Sequence, residues 1–278
     1  MSTKNQPVQI DIRKAMALKS PGLARAIPGF IYRFIERTIH QADINRILRK
    51  YADKTGVVFV RSLLKEFNVT YTVHNEHLVP KDGRYIFASN HPLGGFDGVV
   101  MADVLASHWG EPRLLVNDLL LLIENYDPLF LPINKHGSHS REAIKKIDAA
   151  FKADYPILDF PFGLVSRKYN GEIKDLVWRR TFVNRARKYE RDIVPVFFDG
   201  VNSNKFYRVA QWRKRLGLKV NLEMFYLPGE AFKQYDSHFN VYFGKPISHQ
   251  SLTRDKSPDQ WAEEIKSIAY SLKPENRK

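Results

Sequence analysis

Apolar residues recur at helical spacing through Ile27 to Ile39 and again through Ile44 to Leu48, with Pro21 and Pro28 breaking the run. The first 70 residues are therefore expected to be helical. From about residue 70 the texture changes. Short β-rich runs (Val69 to Val73, Tyr85 to Ala88, Arg113 to Val116, Leu129 to Ile133, Pro156 to Phe160, Ile193 to Phe198) alternate with helical stretches at Val99 to Ala106, Arg141 to Ala153 and Val177 to Lys188. A last strand near Asn240 to Phe243 precedes a closing helix near Pro258 to Leu272. The alternation predicts an α/β fold, a mixed β-sheet flanked by helices, with residues 1–70 as a helical N-terminal extension and 71–278 as the α/β domain. There is no internal repeat, low-complexity tract or long linker to suggest further division.

The 278 residues are 44% hydrophobic, ample for a core. Forty-four Lys and Arg against 30 Asp and Glu leave a net charge of +14. A surface that basic suits anionic lipid, an acidic carrier protein or nucleic acid. The absence of cysteine removes disulfides, cysteine-ligated zinc and a thiolate nucleophile. Met1 to Lys14 lacks the apolar centre of a signal peptide, and the longest apolar run, Leu114 to Ile123, is interrupted by Asn117 and Asp118. The expectation is a cytoplasmic protein, peripheral on the inner face of the cell membrane.

One segment concentrates chemistry. The apolar strand Tyr85 to Ala88 runs into Ser89-Asn90-His91-Pro92, then Gly94, Gly95 and Asp97, then an apolar helix from Val99. A strand-to-helix turn is where α/β proteins place reactive groups. Pro92 fixes one backbone angle and the glycines permit close approach, so His91 can sit at the sheet edge with Asp97 folded back toward it. A histidine with an ordinary pKa near about 6.5 can accept a hydroxyl proton at neutral pH, and a carboxylate fixes its tautomer. Taken alone, a His near an Asp is more often a turn-capping or core pair.

The stretch NHPLGGFDG resembles the first motif, NHxxxxD, of the lysophosphatidate-acyltransferase-like glycerolipid acyltransferases. Five residues separate His91 from Asp97 where the family norm is four. The longer spacing is similar to that of a haemolysin-like bacterial branch, some of whose members O-acylate lyso-forms of ornithine or glycine lipids. Three later segments follow in the family's order. Phe130-Leu131-Pro132-Ile133-Asn134-Lys135 resembles the second motif, with Lys135 where arginine is usual, which weakens a bidentate clamp on phosphate. Asp159-Phe160-Pro161-Phe162-Gly163-Leu164-Val165-Ser166-Arg167 resembles the third, FPEGTRS, with Phe162 in place of its glutamate. Ile193-Val194-Pro195-Val196 resembles the fourth, an apolar strand with Pro195 near the acyl pocket.

The resemblance spans about residues 85 to 245 and implies an O-acyltransferase. It implies His91 and Asp97 as catalytic residues, and Asn90, Gly94, Gly95, Lys135, Phe160, Pro161, Gly163, Ser166, Arg167 and Pro195 as substrate-binding ones. Backbone N–H groups near Gly163 are then candidates for holding the tetrahedral oxyanion. The acyl donor is a thioester, acyl carrier protein or acyl-CoA, entering as substrate, and no cofactor is needed. The acceptor is a lyso-lipid. Phe162 tilts the choice toward a lyso-amino-acid lipid and away from the 1-acylglycerol-3-phosphate of phosphatidate synthesis.

Two segments bear on partners. The stretch from Val165 to Asp192 carries nine Lys or Arg against four Asp or Glu, suited to an anionic head group or to a merely solvated face. Lys205 to Lys219 has six basic residues, none acidic, with Phe206, Tyr207 and Trp212 interleaved, and Pro28 to His40 sets Phe30, Ile31, Phe34 and Ile35 beside Arg33 and Arg37. Both read as interfacial segments for an anionic membrane surface, or as helices whose apolar face packs on the domain. A non-catalytic basic module for membrane or nucleic acid would leave NHPLGGFDG unexplained, and nucleic acid is not expected as a partner because no recognition helix or stacking sheet is evident. His74 with His77 and His136 with His139 have ligand-like spacing but no partner cluster, so no metal is expected. No GxGxxG, P-loop or GxSxG element occurs.

Overall fold

In a computed structural model the described residues are 9–116, 123–132, 141–217 and 221–274. Their elements in chain order begin with helices α1 (Ile12–Lys19), α2 (Pro21–Ala26), α3 (Gly29–Thr38), α4 (Gln41–Lys50) and α5 (Gly56–Glu66). Then come β1 (Thr70–His74), β2 (Tyr85–Ser89), α6 (Phe96–His108), β3 (Arg113–Val116), β4 (Phe130–Pro132), α7 (Arg141–Lys152) and β5 (Ile157–Asp159). A hairpin of β6 (Arg167–Tyr169) and β7 (Glu172–Lys174) leads to α8 (Thr181–Tyr189), β8 (Asp192–Asp199), α9 (Asn204–Arg215), a 3-10 turn (Leu222–Tyr226), α10 (Leu227–Phe232), β9 (His238–Phe243) and α11 (Pro258–Ser271).

Seven strands form one sheet in the order β1-β9-β8-β2-β5-β3-β4. The block from β8 to β4 is parallel throughout, while β9 runs antiparallel to β8 and carries β1 parallel to itself. The expected mixed sheet flanked by helices is what the chain forms. Strand β2 is central and wholly buried, as a run of apolar residues covered on both faces must be. Its alternation sorts the two layers: Phe87 packs with Phe59, Val100, Met101 and Leu105 from α5 and α6, while Ile86 and Ala88 pack with Phe151, Phe182 and Ile265 from α7, α8 and α11. Ile47, Leu48, Phe59 and Val60 of the first 70 residues enter the same core cluster as Phe87.

Where β8 begins, Arg191 is entirely buried. Its guanidinium donates to the carbonyls of Phe151, Ala150 and Ala153 at the end of α7 and to those of Tyr85 and Tyr155. A cation there satisfies terminal carbonyls and opposes the helix dipole. Burial nevertheless pushes its pKa down to about 10.

Two departures from the expected elements have local causes. Helix α8 begins at Thr181 and not at Val177, because Arg179 donates its N–H to the Pro161 carbonyl and the Trp178 indole is held by Asp175. The β6–β7 hairpin was not expected. It turns on Asn170 and Gly171, both at positive φ (47° and 89°), the Asn-Gly pair that a two-residue hairpin favours.

Candidate active site

The carboxyl ends of β2, β5 and β8 meet at one sheet edge, where open α/β sheets receive ligands. Asn90 leaves β2 and ties it to β8: its amide donates to the Phe198 carbonyl (2.9 Å) and its Oδ1 accepts the Phe198 N–H (2.7 Å). The next residue, His91, thus starts from a fixed platform. Its ring stacks on Phe160, just past β5, with centroids 4.0 Å apart.

His91 Nδ1 lies 2.9 Å from Asp97 Oδ2. Asp97 is fully buried in the first turn of α6 and accepts four backbone N–H groups as well, from Leu93 (2.9 Å), Gly94 (3.3 Å), Gly95 (3.0 Å) and Gly98 (2.9 Å). Burial by itself would raise this carboxyl. The facing His91, its hydrogen bond and the Leu93 and Gly98 amides outweigh burial and hold it below the ordinary carboxylate value. An ionised Asp97 accepts the Nδ1 proton, which leaves Nε2 as the basic nitrogen of a histidine whose side chain is 17% exposed.

Gly94 shapes the turn between His91 and Asp97. Its φ of 78° is natural only to glycine, and an added Cβ would lie 2.4 Å from a Val165 methyl and 2.9 Å from Leu227.

The third-motif segment closes the other side. Gly163, at φ 66°, donates its N–H to the Phe160 carbonyl (2.8 Å), so this amide closes the turn, and any oxyanion donor in this segment would be a neighbouring N–H. The Pro161 carbonyl accepts from Arg179 (3.0 Å), and Ser166 donates its N–H to the His91 carbonyl (2.8 Å). Gly94, Gly95, Phe160 and Gly163 are partly exposed around His91, whereas Asn90, Pro161, Ser166 and Pro195 are buried. Pro195 lies within β8 opposite Ala88, and its carbonyl accepts from Gly244 (2.8 Å).

Arg167 was expected to meet an acceptor head group. Its guanidinium is instead buried, donating to Glu223 (2.7 Å) and to the Val165 carbonyl (2.6 Å). Glu223, wholly buried, also lies 2.8 Å from Arg213. Burial lowers the Arg167 pKa even with Glu223 beside it. Lys135, His136 and His139 lie outside the described residues. His74 Nε2 lies 2.9 Å from the accepting Oδ1 of Asn240, and no group of three metal-ligating side chains occurs among the described residues.

Several residues of the site escaped the sequence reading. Asp175 and Trp178 stand three apart in a stretch noted only for its charge, and Glu223, Leu227 and Tyr270 reach the site from distant segments that carry no motif.

The Acyltransferase family model matches residues 14–276. A lyso-glycine lipid O-acyltransferase of Bacteroides thetaiotaomicron is 42% identical over 264 residues, covering 95% of this chain and 97% of that one. Another, from Phocaeicola vulgatus, is 40% identical, covering 95% of each. Among solved structures, the 1-acyl-sn-glycerophosphate (LPA) acyltransferase PlsC of Thermotoga maritima aligns over 96% of this chain and 98% of its own, at 15% identity and a TM-score of 0.45. With a family match spanning almost the whole length and two such relatives, this chain belongs to the Acyltransferase family and is an acyl-transferring enzyme.

Proposed function

We propose that the chain transfers a fatty-acyl group from an acyl thioester, acyl carrier protein or acyl-CoA, to the hydroxyl of a lyso-amino-acid lipid, with lyso-glycine lipid the first candidate. The observation that carries this reading is the His91–Asp97 pair at the accessible sheet edge, in a chain whose relatives act on lyso-glycine lipid. His91 Nε2 takes the hydroxyl proton as the oxygen attacks the thioester carbonyl. Asp97 holds the tautomer and stabilises the imidazolium. Collapse of the tetrahedral intermediate breaks the carbon–sulfur bond, and the thiolate leaves with the proton that His91 received. One ester forms, one thioester is lost, and no covalent acyl-enzyme is required.

Phe162 supports the choice of acceptor: it is buried in the core where the family's glutamate would stand, which tells against glycerol-phosphate binding in the family's usual manner. Purified protein given acyl carrier protein or acyl-CoA thioesters is expected to acylate lyso-glycine lipid, more slowly lyso-ornithine lipid, and lysophosphatidate least. Preference for lysophosphatidate would overturn the acceptor assignment in favour of phosphatidate synthesis.

The same reading puts the enzyme on the inner membrane face as a peripheral protein. No helix among the described residues is long and apolar enough to cross a bilayer. Helix α3 exposes Phe30 (64%) and Phe34 (61%) beside exposed Arg33 and Arg37. Helix α9 buries Phe206 and Tyr207, counter to the grouping of its aromatics as interfacial, but exposes Trp212 (61%) among Lys205, Arg208, Lys214 and Arg215. Both helices touch the 222–226 turn, and Leu227 at its end reaches Gly94 beside His91. Exposed aromatics beside cations on each helix fit an anionic bilayer surface. Binding to anionic vesicles should weaken as salt rises from about 0.1 M to about 1 M, which shortens the screening length from about 10 Å to about 3 Å. Equal binding to neutral vesicles would refute the electrostatic part.

A further inference from the structure

Asp175 is a second buried carboxyl beside His91, and the proposed chemistry gives it no task. It is 1% exposed, and no lysine or arginine lies within ion-pair distance of it among the described residues. Its Oδ1 accepts the Ser166 hydroxyl (2.6 Å), its Oδ2 accepts the Trp178 indole N–H (2.9 Å), and its own N–H donates to the Tyr270 hydroxyl (2.6 Å). Ser166 and Trp178 are each also 1% exposed. A charge-capable group placed there without a cation is costly, so its hydrogen bonds must be kept together.

The connection to the site runs through Ser166, whose N–H donates to the His91 carbonyl at 2.8 Å. His91 is thereby held at two points. Asp97 fixes the ring, and the Ser166–Asp175 contact fixes the main chain that carries it. Trp178 and Tyr270 brace Asp175 from the α8 side and from α11, the last helix of the fold. Burial pushes the Asp175 carboxyl above the ordinary range, while the bonds from Ser166 and Trp178, and then the charge and N–H of His91, act the other way.

We propose that Asp175 is a positioning residue for acyl transfer, setting the main chain of His91 through Ser166, with Trp178 and Tyr270 as its supports. The inference rests on reading His91 as the base. Two donors, a hydroxyl and an indole N–H, converge on the two carboxylate oxygens. Asparagine offers a single acceptor oxygen and turns an NH₂ toward one of the donors, so it cannot hold both. The His91 ring then loses its fixed height over the sheet edge. A misplacement of about 1 Å at a reacting group costs about 10²-fold in rate.

Asp175→Asn is expected to lower kcat by about 10- to 100-fold and to leave KM for acceptor and thioester nearly unchanged, because Asp175 itself touches neither substrate. Tyr270→Phe and Ser166→Ala each remove one hydroxyl, and both should show the same kcat-only loss at smaller size. They carry the test if circular dichroism shows Asp175→Asn to be unfolded. A folded variant set with wild-type kcat overturns the proposal, and so does a rise in KM at constant kcat, which would mean a substrate contact. His91→Ala is assayed alongside. Full transfer by that variant would refute the base, whereas a dead His91→Ala beside unaffected Asp175 and Tyr270 variants refutes this inference alone.

Discussion

His91→Ala is expected to lower kcat by about 10²- to 10⁴-fold, the contribution of a positioned general base. The substitution removes a side chain that stacks on Phe160 and bonds to Asp97, and both partners remain in place without it. The main-chain contact of His91 with Ser166 does not depend on the side chain, so the local fold should survive. KM for both substrates should change little, since the ring acts on the proton in flight and contributes little to ground-state binding. Steady-state kinetics with the preferred lyso-lipid, together with a melting curve, test both halves. Full activity in the alanine variant would end the general-base reading.

Asp97→Asn should be as severe, by a different route. Loss of the carboxylate frees the Nδ1 proton and lets the wrong tautomer form; the loss of the orienting aspartate in a serine-protease triad costs about 10⁴-fold in kcat. Here the carboxylate also gathers the N–H groups of Leu93, Gly94, Gly95 and Gly98. An asparagine NH₂ would face some of these donors, and each buried N–H left unpaired costs about 1–3 kcal/mol. The variant should therefore melt several degrees lower as well.

The pH dependence of that difference has a definite sign. The Asp97 carboxyl is held below its ordinary value in the folded chain, so the unfolded chain takes up the proton first. Its stabilisation is present above about pH 4, the unfolded carboxylate range, and is lost as pH falls through the lower folded value. The gap in melting temperature between wild type and Asp97→Asn should be widest near neutrality and should narrow below about pH 4. A gap that stays constant well below about pH 4 would show that the carboxylate charge is not what the amides hold.

The strands were legible because the parallel block imposes a simple demand. Tyr85–Ser89 and Asp192–Asp199 are covered on both faces, so their residues are apolar almost without interruption and stand out against helical spacing. The histidine turn was legible because glycine, proline and an acid in so short a span serve few purposes other than shaping a site. Arg167 was misjudged for a physical reason: its charge is visible in the sequence, but its neutralising partner Glu223 lies 56 positions away on another element. Asp175 was passed over for the same reason, since its meaning depends on Ser166 and on Tyr270, 95 positions distant. Long-range polar pairing leaves no periodic trace.

The ion-pair cluster in which buried Glu223 faces buried Arg167 and partly exposed Arg213 bears on how this enzyme can change. Removing Glu223 leaves Arg167 buried without its counter-ion, at about 3–5 kcal/mol, whereas removing either arginine leaves Glu223 paired with the other. Glu223 is therefore the member of the set least free to change. The turn that carries Glu223 is thus tied to α9 and to the hairpin that follows the third-motif segment, and a substitution there is felt at both.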